Sequence, residues 1–407
     1  MSDWHTNFQK RIIIDNGSWE IRLGNATNQN PMILQQNLLG NLLYGEQLNN
    51  YLDESNLIYI KPQVRGVTVD WDHEIHLLEK MLDDLTGFEQ KQNELASYSI
   101  SYIYNPCMPE KVRQRIIETC FEYFGFDAIY PALSQKMSQI FFKHNYPNKL
   151  SDQFQLLIEI GHSATYFVPF FDDEVVNYGI KRLDIGGKLL SNHLKDIITC
   201  RYIQLNNDFR MVSQIKNEMC FVSQDFIKDM KMKLAYINKI YLIKKRKNTF
   251  QKFFILPDYD TGKQGYVIEN YDNQSNQEVL ALDKERFTIP ELLFYPSDIG
   301  LNQNGISQGI FNVVKELNID LREYFLENII LTGGSSNFQG LSERLQNEII
   351  QNTPEYLQNK LIHIKEQYPS FKGCQILAQS ENFQNIVMNR NDYKEYGFEK
   401  LNSVYFN

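Results

Sequence analysis

Two acidic residues in this sequence each end an apolar run and begin a glycine-containing turn. Asp15 follows three isoleucines and opens the segment DNGS, which contains Gly17 and Ser18. Glu159 follows the run LLI and precedes Gly161 by two positions. Glycine lets the backbone turn with positive φ and bring several N–H groups close to a phosphate. The pattern therefore predicts one phosphate-binding turn in each segment.

The two carboxylates suit a hydrated magnesium ion between the turns. Mg²⁺ prefers oxygen ligands and keeps several of its waters. We therefore expect Asp15 and Glu159 to hold Mg²⁺ indirectly, through water, when a nucleotide is bound. A DNGS turn taken alone is more often an ordinary hairpin, so the prediction requires the two turns to face each other.

Two glycine pairs in the second half of the chain add to this set. Gly187 lies in the segment DIGGK, and residues 189–198 after it carry apolar side chains at helical spacing. Gly333, Gly334 and Ser335 follow a buried-type strand in the segment ILTGGSS. A glycine pair at the start of a helix offers backbone N–H groups to a nucleoside or a phosphate. A lone TGGSS segment is likewise a common strand-to-helix loop.

The elements around the acidic residues form an internal repeat. An apolar strand, an acidic residue, a glycine turn and a returning strand occur twice, and the acidic residues are 144 positions apart. The returning strands are predicted at residues 19–23 and 166–169. A repeat at this distance predicts two similar domains that face each other, not a solenoid.

Composition limits the function classes. A chain of 407 residues with 43% hydrophobic and 22% charged residues is expected to form a globular protein of two to four domains. The net charge of −9 argues against a surface that binds nucleic acid unaided. No apolar run approaches the ~20 residues that a membrane helix needs, and residues 1–10 lack the apolar region of a signal peptide. The basic run at 244–247 fits a nuclear-localisation signal and a solvated loop equally well.

At these residues the chain resembles the actin, heat-shock-70 and sugar-kinase superfamily, and most of all its actin branch. The resemblance covers nearly the whole chain. Residues 15–18 and 159–169 are similar to the two phosphate loops of actin, and residues 330–340 (ILTGGSSNFQG) are similar to its adenosine motif. The resemblance implies an α/β, two-lobed nucleotide-binding fold with a duplicated core, and ATP or ADP with Mg²⁺ as the candidate ligand.

Two more binding residues are carried over by this resemblance. Arg22 lies where actin has a lysine that contacts phosphate. Lys216 lies at the adenine end, where its usual acidic neighbour is replaced by Asn217. The resemblance thus implies a nucleotide site in which binding is weakened.

The resemblance also implies four domains. Inner core domain one comprises residues 8–30, 68–152 and 365–407, and inner core domain two comprises residues 153–184 and 289–364. The small outer domain is residues 31–67, and the second outer domain is residues 185–288.

Several stretches resemble the sixth class of actin-related proteins. These are residues 186–195 (GGKLLSNHLK), 220–230 (CFVSQDFIKDM), 285–300 (ERFTIPELLFYPSDIG) and 389–397 (NRNDYKEYG). The resemblance implies a nuclear structural subunit of the Swr-type chromatin remodeller, which exchanges a variant histone into nucleosomes. The implied partners are the remodeller's ATPase subunit, a small HIT-type zinc-finger subunit and, through the complex, nucleosomes and histones.

Hydrolysis of ATP needs an in-line water held by positioned polar groups, and this chain departs from actin at those groups. Tyr166 stands where actin has a histidine, and His162 stands at the next acidic position. The glutamine of actin aligns near Leu133, or with Gln135 if the register is shifted by two. Trp19 replaces a glycine of the first phosphate loop. We therefore expect a protein that is not an enzyme.

A second departure concerns polymerisation. Residues 31–70 form a shorter segment than the outer domain of actin, whose loop inserts into the next subunit, so we expect no self-polymer. Two alternatives remain open at this point: an active ATPase or phosphotransferase of the same fold, although no general-base aspartate for a sugar kinase is evident, and a cytoskeletal actin relative, which the short outer segment disfavours. We expect the nucleus as the location, with the cytoplasm as the alternative, and no membrane partner.

Overall fold

The structure is a computed structural model of the whole chain. It describes residues 3–28, 30–36, 39–40, 43–44, 59–87, 95–201, 209–239, 250–258, 262–271 and 278–405. The basic run at 244–247 lies outside the described residues, as does most of the outer segment between residues 37 and 58.

The strands of the described residues are short and mostly apolar. In chain order they are β1 (Arg11–Asn16), β2 (Glu20–Asn25), β3 (Ile33–Gln36), β4 (Leu39–Gly40), β5 (Leu43–Tyr44), β6 (Tyr59–Ile60), β7 (Gln63–Val64), β8 (Val67–Thr68), β9 (Ser99–Tyr104), β10 (Ala128–Leu133), β11 (Phe154–Ile160), β12 (Thr165–Phe171), β13 (Glu174–Val175), β14 (Lys181–Leu183), β15 (Lys252–Ile255), β16 (Tyr266–Ile268), β17 (Val279–Leu282), β18 (Asn328–Thr332), β19 (Lys360–His363) and β20 (Met388–Asn389).

The α-helices of the described residues connect and cover these strands. They are α1 (Trp71–Thr86), α2 (Glu110–Glu118), α3 (Ser134–Asn145), α4 (Gly187–Arg201), α5 (Phe209–Met219), α6 (Phe226–Lys239), α7 (Glu285–Glu291), α8 (Ile306–Glu316), α9 (Arg322–Glu327), α10 (Leu341–Gln351), α11 (Pro369–Gln379), α12 (Phe383–Ile386) and α13 (Arg390–Tyr405, which bends at Gly397). None of these helices is both long and apolar enough to cross a membrane.

Two larger sheets organise the molecule. The first sheet has the order β20-β10-β9-β1-β2-β3, and the second has the order β13-β12-β11-β18-β19, with β14 paired to β12. In each sheet the strand that carries the acidic residue is antiparallel to the next strand of the chain and parallel to a later one. We call the parts of the chain around these sheets the first lobe and the second lobe. The predicted two-lobed α/β fold with a duplicated core is confirmed.

The two acidic residues occupy equivalent places in the two sheets. Asp15 lies opposite Arg22 in the hairpin of β1 and β2, and Glu159 lies opposite Tyr166 in the hairpin of β11 and β12. Each partner is seven residues further along the chain. Glu159 also lies beside Thr332 on the parallel strand, directly before the glycine pair. The hairpins therefore repeat in register as well as in sequence pattern.

The first strand of each hairpin has an apolar middle, residues 12–14 in β1 and 156–158 in β11, because both faces of each sheet are buried. Successive side chains of a strand point to opposite faces. Accordingly, Ile12 and Ile14 belong to one buried cluster and Ile13 to another. In the second lobe, Ile158 and Leu157 are divided in the same way.

Helices α3 and α11 pack against each other where the two lobes meet. On α3, Met137 joins the core of the first lobe, whereas Phe141 and Phe142 join that of the second. The crossing is close, because a Cβ added to Gly373 of α11 would lie 1.8 Å from the carbonyl oxygen of Met137. The pair thus gives the lobes a shared core between their sheets.

The predicted helix after the glycine pair of DIGGK is confirmed as α4, which buries Leu190, Leu194 and Ile198 along one face.

Further along, β15 lies between β16 and β17 in a separate three-stranded sheet. Phe254 on β15 is fully buried. Phe254 therefore belongs to the core of the second lobe.

The close crossing of α3 and α11 gives a stability prediction. Gly373→Ala places a methyl group against the carbonyl oxygen of Met137. Alanine is intrinsically better than glycine within a helix, yet this overpacking should lower the free energy of unfolding by about 3 kcal/mol or more. Urea titration monitored by circular dichroism measures the change.

Gly334→Ala is the matched control for this experiment, since nothing lies within 4 Å of its added Cβ. The control should stay within about 0.5 kcal/mol of the parent protein. Equal stabilities of the two variants would show that the helices can separate at no cost and would contradict the close crossing.

Candidate functional site

The two hairpin turns face each other across a cavity of about 410 Å³. This volume lies within the usual range for small-molecule sites. The structure brings every residue of the predicted nucleotide site to this one cavity, which is lined by Asp15, Gly17, Ser18, Arg22, Glu159, Gly161, Gly187, Lys216, Gly333, Gly334 and Ser335.

Asp15 is buried at the base of the cavity and is already engaged by two donors. Arg22 donates from Nη1 to Asp15 Oδ2 at 2.7 Å, and Ser370 donates its hydroxyl to the same oxygen at 2.8 Å. The Arg22 guanidinium also lies over the ring of Tyr368, 4.9 Å from its centroid. Arg22 is therefore positioned between the first carboxylate and the cavity, as the predicted phosphate-contacting residue requires.

Glu159 faces Asp15 from the second lobe. Burial and, to a smaller extent, the negative charge of Asp15 raise the pKa of its carboxyl to about 7. Gln135 donates its side-chain amide to Glu159 Oε2. Of the two candidate positions for the glutamine of actin, the structure thus places Gln135 at the second phosphate loop, whereas Leu133 ends β10 opposite Tyr104. The contact with Glu159 favours the second candidate position, Gln135, over Leu133.

The tips of the two hairpins touch. Ser163 donates its hydroxyl to the hydroxyl oxygen of Ser18 at 2.8 Å, which joins the first lobe to the second. Beside this contact, the rings of Trp19 and His162 lie 4.9 Å apart. Burial and the charges of nearby lysines, Lys216 first among them, together lower the pKa of His162 to about 3. His162 is therefore neutral at physiological pH and cannot supply a charge to the site.

The opposite end of the cavity is formed by α4 and α5. Lys216 donates to the carbonyl oxygen of Gly187 at 3.2 Å and to the hydroxyl of Ser191 at 3.0 Å. Burial lowers the pKa of Lys216 to about 8. A Cβ on Gly187 would lie 2.7 Å from Ser335 Oγ, and Ser335 donates that hydroxyl to the carbonyl oxygen of Gly161 at 3.2 Å. The absence of a side chain at Gly187 thus lets the start of α4 lie against the turn after β18 and the second hairpin turn.

The glycine pair after β18 differs in one respect from the expectation of a helix start. Gly334 begins only a 3₁₀ turn that ends at Asn337, and α10 begins later, at Leu341. The cause is Gly333, whose φ of 102° and close approach to the backbone of Ile160 turn the chain sharply. Gly334 has open space where a side chain would lie, so its backbone is open to the cavity.

Tyr166 lies at the side of the cavity against the first lobe. Its hydroxyl accepts a hydrogen bond from Arg182 Nη1 at 3.3 Å. Arg182 Nη2 reaches across to the carbonyl oxygen of Arg65 at 2.7 Å, and Arg182 Nε donates to Asp184 at 2.9 Å. Burial raises the pKa of Tyr166 to about 12, so its phenol is neutral at physiological pH.

Sequence reasoning missed several lining residues, of which Ser370, Tyr368 and Ser134 contact the predicted ones. Tyr368 comes directly before α11 and Ser370 from the first turn of that helix, more than 300 positions after Asp15. Their only local signal is Pro369, which is favoured in the first turn of a helix and marks the start of α11. That signal predicts the helix boundary but not the contact with Asp15.

The cavity fits a nucleotide with a hydrated cation. Glycine backbone lines it from both hairpin turns, from the start of α4 and from the turn after β18, and the buried Oε1 atom of Gln135, whose amide donates to Glu159, has no hydrogen-bond partner among the described residues. Asp15 and Glu159 would hold the hydrated Mg²⁺, which would supply positive charge to offset the phosphates. In the described ranges, no group of three or more His, Cys, Asp or Glu side chains could hold a metal ion directly.

Comparison with known proteins agrees with this geometry. The actin family model matches residues 7–403. The chain belongs to the actin family. Similar proteins include actin-related protein 6 of Dictyostelium discoideum, 28% identical over 98% of this chain and 94% of the relative. Actin-related protein 6 of Drosophila melanogaster is 28% identical over 96% of this chain and 98% of the relative. That of Arabidopsis thaliana is 26% identical over 97% of this chain and 99% of the relative.

These relatives confirm the resemblance to the sixth class of actin-related proteins, because they cover nearly the full length of both chains. The actin-type cradle is therefore present with its two hairpins and its glycine pair. Its departures from the actin pattern lie at Trp19, His162 and Tyr166, all three of which line the cavity.

The raised pKa of Glu159 gives a prediction on pH dependence. The folded protein holds this proton more tightly than the unfolded chain, so its stability falls as pH rises from about 4.5 to about 7. Glu159→Gln mimics the protonated acid and removes this loss. We compare the unfolding free energy of the variant with that of the parent at each pH. This difference should be roughly 1 to 3 kcal/mol more favourable to the variant at pH 8 than at pH 5.

Urea titrations at a series of pH values measure this difference. Exposed Glu343 provides the control, and Glu343→Gln should leave the pH profile of the parent unchanged. A profile for Glu159→Gln that parallels the parent between pH 5 and pH 8 would exclude Glu159 as the titrating group.

Proposed function

We propose that this chain is a non-catalytic structural subunit of a nuclear, Swr-type chromatin-remodelling complex that exchanges a variant histone into nucleosomes. It acts by binding partners and assisting assembly. The partners are the remodeller's ATPase subunit and a small HIT-type zinc-finger subunit, and through the complex it meets nucleosomes. The observation that carries this proposal is the near full-length match to relatives named actin-related protein 6, together with the class-specific stretches of the sequence.

The cavity supports a non-catalytic role. A general base must accept a proton at working pH, and it does so best with a pKa near that pH. Tyr166, where actin has a histidine, is a neutral phenol held by Arg182, and His162 is a neutral ring packed on Trp19. Neither group is suited to activate a water. The hydrogen bond between Ser18 and Ser163 instead joins the lobes directly.

One observation favours the alternative of an active ATPase. Glu159 has a pKa of about 7, which suits a general base, and Gln135 lies beside it. Gln135, however, donates to one of the two carboxylate oxygens, and neither Tyr166 nor His162 is suited to assist Glu159. We therefore keep the binding role as the proposal, with hydrolysis as the property to test. A nuclear location and the lack of self-polymerisation belong to the same proposal.

Affinity purification of the tagged full-length chain from its own cells tests the assembly role. We expect an ATPase of the Swr type and a HIT-type zinc-finger protein to co-purify after nuclease treatment, because the interaction is between proteins. The tag alone and a tagged conventional actin serve as controls. Recovery of cytoskeletal proteins without a remodeller ATPase would end the proposal.

Single-turnover hydrolysis tests the non-catalytic role. With excess protein over labelled ATP and Mg²⁺, we expect phosphate release at the rate of a buffer blank, because no lining group beyond Glu159 is suited to activate water. Monomeric actin run in parallel sets the scale. Release at the rate of actin that disappears in Glu159→Gln would instead support the ATPase alternative, with Glu159 as the base.

A further inference from the structure

Asn16 stands between two residues of the first phosphate turn, yet its side chain contacts a different region. Asp15 and Gly17 line the cavity, whereas Asn16 is not among the lining residues. The Asn16 side chain is buried, and its Nδ2 atom donates to Tyr102 Oη at 2.5 Å and to Glu74 Oε1. The turn is therefore anchored through a residue that does not itself face the cavity.

The groups that hold Asn16 come from three separate elements. Tyr102 lies on β9, which pairs with β1, and Glu74 lies in the first turn of α1. Gln63 lies on β7, in the small outer domain predicted at residues 31–67, and its Nε2 atom donates to Asn16 Oδ1 at 2.9 Å. Both ends of the Asn16 amide are thus engaged, which fixes the orientation of this side chain.

Glu74 is the acid of this network and is fully buried. Burial raises its pKa to about 7, and the hydrogen bonds from Asn16 and Gln63 oppose the rise by favouring the charged form. Glu74 Oε2 and Gln63 Oε1 have no hydrogen-bond partner among the described residues, which is unfavourable for buried polar atoms. An apolar side chain of similar size would avoid that cost, but it would leave the Asn16 amide without this acceptor. The carboxyl group is therefore better explained by the contact with Asn16 than by the stability of the core.

We propose that Glu74 is a positioning residue for the nucleotide site, which fixes the first phosphate turn through the amide of Asn16. The turn itself is tight, because the N–H of Gly17 donates to the carbonyl oxygen of Asp15 at 3.0 Å, and a Cβ on Gly17 would lie 2.7 Å from the carbonyl oxygen of Glu20. Held from behind, the turn keeps its shape before a phosphate arrives, which lowers the cost of binding. This role rests on the candidate nucleotide site and is independent of the proposed role in a remodeller.

Titrations of the full-length protein with ATP and Mg²⁺, by calorimetry, and with adenosine, by ligand-observed NMR, test this role. Glu74→Met keeps the length of the side chain and removes the acceptor of the Asn16 amide. It should raise the Kd for ATP about tenfold or more, because the turn is no longer held for the phosphates. The Kd for adenosine should remain that of the parent, since adenosine has no phosphate for the turn to contact.

Three further variants complete the experiment. Glu74→Gln keeps an oxygen that can accept from Asn16, so it should restore the parent's Kd for ATP. Gln63→Leu removes the donor to Asn16 Oδ1 and should also weaken ATP binding, which keeps the role testable if Glu74→Met does not fold. Asp84→Met, at an exposed position of α1, should leave both constants unchanged.

The two ligands separate the ways in which the proposed role could fail. Equal Kd values for ATP in the parent, Glu74→Met and Gln63→Leu would overturn the role of Glu74 and leave the nucleotide site standing. Weakening of ATP and adenosine by the same factor would mean that the network only stabilises the first lobe, which overturns the role as well. A parent protein that binds neither ligand would overturn the nucleotide site and the role of Glu74 together, whereas the assembly role would still be decided by co-purification.

Discussion

The repulsion between two buried carboxylates, Asp15 and Glu159, is the constraint on which the centre of this molecule depends. They face each other because the same hairpin occurs in both lobes, and each cavity-facing charge needs compensation away from bulk water. On the first lobe the compensation is ionic, from Arg22. On the second it is a hydrogen bond from Gln135 together with a raised pKa that favours the protonated acid.

This compensation ties distant parts of the chain to the cavity. Ser370, which donates to Asp15, stands in the first turn of α11, and α11 packs on α3 through Gly373. Gln135, which donates to Glu159, stands in the first turn of α3. The two helices that join the cores of the lobes therefore also bring uncharged donors that hydrogen-bond to the two carboxylates. Packing between the lobes and charge balance in the cavity depend on the same pair of helices.

The repeated hairpins could be predicted from the sequence because their signal is local. Apolar runs, acidic residues and glycines recur at fixed spacing, and the structure shows the same register in both lobes. The helical faces of α4 and α10 were predictable for the same reason. The partners of the carboxylates were not, because local sequence does not show which distant side chain reaches a given oxygen. Ser370 is such a case. Gln135 is another, because the sequence offered it only as the second candidate, after Leu133, for the glutamine of actin.

The distribution of charge in the cleft supports the proposed binding role. Acidic groups lie at its base, and His162 stays neutral because burial and nearby lysines both oppose its protonation. A proton relay from Glu159 would need a neighbouring group that changes charge near neutral pH, and neither His162 nor Tyr166 does so. The contacts between Ser18 and Ser163 and between Arg182 and Arg65 meanwhile join the lobes around the cavity. The proposed partner surface, if it spans both lobes, depends on such contacts between them.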